Sequence, residues 1–236
     1  MFSNIFNYDN PVWRFIGKFF DIMILNILWT ICSLPIVTVG ASTTAVYYVT
    51  LKLVRDEEGS STIKDFFKSF KENFKQATVI WLILLLVGAV LSGDLYIFTM
   101  LMTGNGKLRI FLIALFIGFA IVYAGIFTFV FPLQSRFYNP VKITLFNAFF
   151  MSVRHFLNTL GILVIDAAIP LIAVTLGTVL QPILFLFGFP LIAYLNSFLL
   201  APIFAKYMPK KEESQEPLGE YSWEEEKPAE EAEKEE

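Results

Sequence analysis

The chain has 236 residues, 56% of them apolar, with 26 Phe and a formal net charge of −3. That share exceeds the roughly 45–50% of a soluble domain, mean hydropathy is +0.63, and the length leaves no room for a separate soluble catalytic domain. The charge is split: residues 1–208 carry 14 Lys/Arg against 9 Asp/Glu and residues 209–236 carry 4 against 12, so a basic body precedes a strongly acidic tail.

Five long apolar stretches cover 19–54, 76–102, 108–132, 156–180 and 182–205. About 20 apolar residues cross a bilayer as helix, and the first stretch is nearly twice that. Residues 1–18 lack the short apolar core and small-residue cleavage site of a secretory signal, so they are expected to stay as a cytoplasmic segment before a retained anchor. Within the first stretch, Pro35 has no backbone donor and disfavours helix at Leu34, while Gly40 permits a bend. The expected result is a hairpin of helix 1 (19–34) and helix 2 (38–54), with Ser42, Thr43 and Thr44 against protein rather than lipid. The competing reading is one kinked span over 20–40 followed by an interfacial helix. Cys32, the lone cysteine, is expected to pack as a small hydrophobe.

Charge decides between six and five crossings, because Lys and Arg concentrate in cytoplasmic segments. Counted as far as Lys211, six crossings with both termini inside put 14 Lys/Arg inside and only Lys107 and Arg109 outside; with five, the split falls to 12 against 4. Six is preferred, and both place the tail in the cytoplasm.

Thr62 and Asp65 have capping-box spacing ahead of the next segment. Over 63–76, Phe66, Phe67, Phe70 and Phe74 form one apolar stripe at helical spacing, flanked by Lys64, Lys68, Lys71 and Lys75. This predicts an amphipathic helix in the headgroup layer, either a seat on the anionic leaflet or a docking surface. The remaining helices are expected over 76–102, 108–132, 156–180 and 182–205. The stretch Lys142–His155, interrupted by Asn147, Ser152 and Arg154, reads as an inward extension of the 156–180 helix. The Glu-rich tail from 207 to 236 is expected to be disordered, with Leu218, Tyr221 and Trp223 as a small apolar island. The fold class is thus all-α: a polytopic bundle of six transmembrane helices, an interfacial helix and an acidic tail.

Chemistry-bearing residues are few. His155 is the only histidine, no Glu lies in an apolar span to complete a HExxH motif, and no Gly-Lys-Ser/Thr phosphate loop occurs, so neither an enzyme nor a cofactor or metal is expected. The strongest candidate is Asp166, mid-span in Leu163-Val164-Ile165-Asp166-Ala167-Ala168-Ile169-Pro170. A charge there costs several kcal/mol, so it must face protein, water or a partner. Its role is either a hydrogen bond to Asn or Ser, or transport of a proton or cation. Asp94 lies nearer the outer end of its helix. Asn26, Asn147, Asn158 and Asn196 supply interhelical hydrogen bonds, each worth about 0.6–2 kcal/mol.

The order of segments carries a resemblance. Asn26-Ile27-Leu28-Trp29, Leu34-Pro35-Ile36-Val37-Thr38-Val39-Gly40, Ala45-Val46-Tyr47-Tyr48, Lys52-Leu53-Val54-Arg55-Asp56-Glu57-Glu58-Gly59 and Asp65-Phe66-Phe67-Lys68-Ser69-Phe70-Lys71-Glu72-Asn73-Phe74 together resemble the YesL family of small bacterial integral membrane proteins. The family pattern reads Gly-Pro-Ala-Thr and Arg-Gly-Glu-Glu where this chain has Gly40-Ala41-Ser42-Thr43 and Arg55-Asp56-Glu57-Glu58. The family has no established activity, and its members are often encoded beside carbohydrate-uptake and polysaccharide-degradation genes. The resemblance therefore implies a non-enzymatic accessory of sugar uptake in the bacterial cytoplasmic membrane, whose partners are the bilayer and a sugar-transporter complex, with no nucleic acid. A small transporter or channel built on Asp166 is the alternative. Candidate functional residues are Asp166 and Asp94; Phe66, Phe67, Phe70 and Phe74; Arg154 and Asn158; and Arg55, Glu57 and Glu58.

Overall fold

Helices form wherever the apolar runs meet neither Pro nor a Gly-bearing turn. A computed structural model describes residues 11–57, 61–101, 106–177 and 181–208. Its helices are α1 (Pro11–Cys32), α2 (Val39–Val54), α3 (Thr62–Tyr96), α4 (Gly106–Arg136), α5 (Val141–Arg154), α6 (Phe156–Thr175) and α7 (Gln181–Ala205), and no strand occurs among the described residues. A π-helical turn, Ile97–Leu101, prolongs α3. Among the described residues six stretches are long and apolar enough to span a membrane: Phe15–Cys32, Ile36–Val54, Thr62–Leu101, Gly106–Arg136, Phe156–Thr175 and Phe185–Ala205. The fold is an all-α polytopic bundle. Residues 1–10, Glu58 and the acidic tail lie outside the described residues.

The α1–α2 hairpin turns where Pro35 stands. Thr38 Oγ1 donates to the carbonyls of Cys32 (2.5 Å) and Pro35 (2.7 Å), satisfying acceptors freed at the end of α1. Helix α2 is no interfacial helix. Gly40 to Tyr47 is buried without interruption, and α2 packs against α1, α3, α4 and α7. Such all-round burial makes it the central helix.

The separate interfacial helix expected over 63–76 does not exist. The segment is the first part of α3, which runs unbroken because no Gly or Pro occurs between Thr62 and Val87. Its cap lies one residue earlier than expected: Ser61 Oγ accepts from Lys64 N at 3.4 Å, while Asp65 Oδ2 takes Lys52 Nζ at 2.6 Å and Thr62 Oγ1 donates to Asp21 Oδ1 at 2.5 Å. The Phe stripe divides. Phe66 is fully buried and Phe70 half-buried, whereas Phe67 and Phe74 are exposed beside the four lysines. The inward face is instead Asp65, Phe66, Ser69, Asn73 and Ala77.

The Lys142–His155 stretch is likewise not an extension of α6. It forms the separate helix α5, ended by the non-helical backbone of His155 (φ −109°, ψ 43°), and packs chiefly on α4. Gln134 joins three helices: its Nε2 donates to Asn73 Oδ1 (3.1 Å) and Gln76 Oε1 (2.7 Å), and its Oε1 accepts from Thr144 Oγ1 (3.2 Å). In α7, Gly188 takes φ 36°, ψ −136°, and the chain kinks there. Asn26 of α1 fills the breach, donating Nδ2 to the Phe185 carbonyl at 2.7 Å. A freed carbonyl inside an apolar bundle needs such a partner.

Height along α3 divides the molecule. Trp81 Nε1 donates to the Ile36 carbonyl at 2.8 Å, which sets the α1–α2 turn halfway along α3. Beyond that point α3 and its π turn continue for about 30 Å. The last buried residue of α3 is Leu84 and the first of α4 is Gly125. A multi-helix base therefore carries a two-helix mast, braced by Tyr123 OH on the Leu84 carbonyl (3.0 Å) and by Phe98 packed edge-on to Phe116.

Candidate functional site

Asp166 sits one turn before Pro170 on α6, which stays helical through the proline. It lines a cavity of about 520 Å³ between α2, α4, α6 and α7. The walls carry five aromatic side chains, Tyr47, Tyr123, Phe127, Phe131 and Phe189, and the hydroxyls of Tyr47, Tyr123, Thr43 and Thr128 are the further polar groups. Its volume is that of a small-molecule site, apolar with a few polar groups.

Asn196 of α7 fixes the carboxylate, donating Nδ2 to Asp166 Oδ1 at 2.7 Å. Asn196 is fully buried, and its Oδ1 receives no hydrogen bond. Next along α7, Ser197 and Thr50 share a 2.9 Å hydrogen bond, and Trp29 Nε1 donates to Thr43 Oγ1 at 3.3 Å. The hydroxyls of Tyr123 and Thr128 are already spent on the carbonyls of Leu84 and Ala124. The Asp166 wall thus offers carboxylate acceptors, with the hydroxyl protons of Tyr47 and Thr43 as the donors beside them. It suits a ligand whose hydroxyls both give and take hydrogen bonds, or an ammonium or proton on the carboxylate.

The other candidates fall elsewhere. Asp94 lies on the mast, ten residues past the last buried position of α3, and does not join Asp166. Asn158 Nδ2 reaches the Leu199 carbonyl at 3.4 Å, tying α6 to α7. Arg154 lies 5.7 Å over the Tyr207 ring, beside the 3.1 Å contact of His155 Nε2 with Tyr207 OH. Burial, with Lys206 and Arg154 close by, holds the His155 pKa below its ordinary value. Phe66, Phe67, Phe70 and Phe74 stay on α3, far from being one surface.

At the end of the bundle opposite the α1–α2 turn, Arg55 and Glu57 belong to a charged lattice. Arg55 Nη2 donates to the Ala201 carbonyl (2.8 Å) and Nη1 reaches Met208 Sδ (3.1 Å) and Glu57 (3.5 Å). Glu57 in turn holds Arg136 at 2.9 Å, and Lys18 pairs with Asp56 at 2.7 Å. These bonds gather α1, α2, α4 and α7 at that end of the bundle. Sequence reasoning missed Arg136, Gln134 and Asn73; the only signal was a charge or amide within a turn of an apolar run. Among the described residues no three His, Cys, Asp or Glu side chains gather to hold a metal.

No curated protein and no solved structure matches the chain. Residues 22–95, from α1 almost to the end of α3, are similar to a family whose model is described as protein of unknown function, DUF624.

Proposed function

We propose that the chain is a non-enzymatic integral membrane protein, accessory to carbohydrate uptake in the bacterial cytoplasmic membrane, with a ligand site of its own at Asp166. The carrying observation is the Asp166 carboxylate, fixed from behind by Asn196, on the wall of a cavity with five aromatic side chains. Aromatic faces and carboxylate oxygens are the groups that hold a polyhydroxyl ligand, the faces against its C–H surface and the oxygens on its hydroxyls. The match to the family that contains YesL-like proteins agrees with the resemblance of residues 26–74 to those proteins. The excess of Lys and Arg at the base supports both termini inside. A sugar-transporter complex is the proposed partner.

A second reading has the same cavity carry a proton or cation through the membrane, because a mid-span carboxylate is what such transport needs. Asp166→Asn separates the two, since Asn keeps the shape and can still bond Asn196. Wild type and variant are reconstituted in vesicles for flux, and tested in cells for sugar-dependent growth and co-purifying transporter subunits. Unchanged partner capture with no flux from either protein supports the accessory reading. Flux from wild type that disappears in a folded Asp166→Asn protein would replace it with the transporter. Failure to capture any sugar-transporter subunit from native membranes would remove the accessory role.

A further inference from the structure

Arg136 ends α4 where its apolar run stops, and its side chain is 10% exposed. Nη1 is held by Glu57 at 2.9 Å, and the guanidinium face lies 5.6 Å over the Tyr48 ring. Nε and Nη2 are buried and have no hydrogen-bond partner. Those two N–H groups form the edge of a guanidinium that grips two oxygens of one anion. A buried charged donor left unmade is costly, so an acceptor belongs there.

The surroundings specify the acceptor. Arg136 lines a cavity of about 510 Å³ together with Asn73, Gln134, Ser135, Tyr138 and Glu72. An adjoining cavity of about 430 Å³ shares Glu72 and Tyr138 and adds Lys71 and Lys75. Across the two neighbouring cavities three cations, Arg136, Lys71 and Lys75, stand against two carboxylates, Glu72 and the Glu57 already on Arg136. Glu57 occupies the other edge of the guanidinium and leaves the buried Nε–Nη2 edge without a partner.

We propose that Arg136 anchors an oxyanion site for a phosphate group, supplied by a phospholipid headgroup or by free phosphate. Two phosphate oxygens sit on the Nε–Nη2 edge and the remaining oxygens face Lys71 and Lys75. A planar carboxylate would satisfy the fork and leave the lysine wall unused. The position at the end of an apolar span is also where a bilayer places its phosphates.

The test is thermal unfolding of the purified full-length protein in detergent. Inorganic phosphate is titrated against chloride at constant ionic strength, and in a second arm phosphatidylglycerol is compared with uncharged diacylglycerol in the micelle. A saturable rise in Tm is expected in the first arm for a free phosphate and in the second for a headgroup. Arg136→Lys keeps the charge for Glu57 and loses the fork, so binding should weaken at least tenfold. Lys107→Gln, on the mast, should bind as wild type. Where Arg136→Lys does not fold, Lys71→Gln with Lys75→Gln replaces it, with a several-fold loss expected. The site is overturned by no shift beyond the controls in either arm, or by fork and lysine variants that bind as wild type. It is also overturned if binding appears only once Glu212→Gln and Glu213→Gln neutralise the start of the acidic tail, which would put the chain's own carboxylate on the fork.

Discussion

At Gly40 the backbones of α2 and α3 leave no room for a side chain, and Gly40→Ala tests the packing of the central helix. A Cβ there meets the Ala77 carbonyl oxygen and comes to 2.6 Å from Trp81 Cβ, against 3.4–4 Å for ordinary contact. Both obstacles are fixed to the α3 backbone, so no side chain can swing aside. The helices must part by about 1 Å, which forfeits a quarter to a half of the dispersion energy at each affected contact. Overpacking of this kind costs about 1–3 kcal/mol, and a rigid obstacle argues for about 3. Ala opposes this with about 1 kcal/mol of better helix propensity. The net expectation is about 2 kcal/mol of destabilisation, or about 4–8 °C in Tm, measured by thermal unfolding in detergent. A Tm equal to or above wild type would mean that helix propensity wins, and that α2 and α3 do not approach as closely as described.

Gly188→Ala combines a positive φ with a Cβ forced onto the Asn26 amide, and should lower stability by about 3 kcal/mol. Asn26→Leu should cost about 1–3 kcal/mol by orphaning the Phe185 carbonyl. Asp65→Asn leaves the nearly buried Lys52 without its counter-charge and should cost about 3 kcal/mol, partly restored by Lys52→Met in the same chain. For His155 the folded-state pKa is lowered, so the unfolded chain binds the proton more readily. Its contribution to stability is full above the ordinary value near 6.5, falls as the pH drops through that value, and levels off below the folded-state pKa. The effect is modest because the ring is only half-buried, and His155→Gln should remove that portion of the Tm–pH slope.

Apolar run length made the spans legible, and Pro35 made the hairpin legible, because both act within one segment. Side-chain facing was harder to read. The Phe and Asp65–Ser69–Asn73 faces of α3 are both helical stripes, and a membrane bundle buries polar groups that a soluble protein would expose. The pattern at 63–76 therefore pointed outward where its polar partner face turned in. Asp166 was visible as a charge in an apolar run, yet its partner Asn196 lies 30 residues away on a helix whose rotation no local pattern fixes. Gly188 was hidden beside Pro190, the more obvious breaker. Arg136 read as one more topogenic charge, since only the packed structure shows which edge of a guanidinium goes unused.

The halfway height of the α1–α2 turn has a mechanical consequence. With its π turn, α3 has 40 residues, about 60 Å, against about 30 Å of hydrocarbon. Even a 40° tilt shortens it only to about 46 Å. The end carrying Lys64, Lys68, Lys71 and Lys75 has to leave the oil, while the exposed Phe15, Phe20 and Ile27 of α1, beside that same end, have to stay in it. One flat leaflet cannot meet both heights, so the lipid surface must slope around the molecule by about 16 Å, the rise from Lys64 to Lys75. At fractions of a kcal/mol per Å, that elastic load reaches several kcal/mol. Any neighbour that covers one of the two faces releases it, so the tightness of such a pairing depends on the thickness of the surrounding membrane.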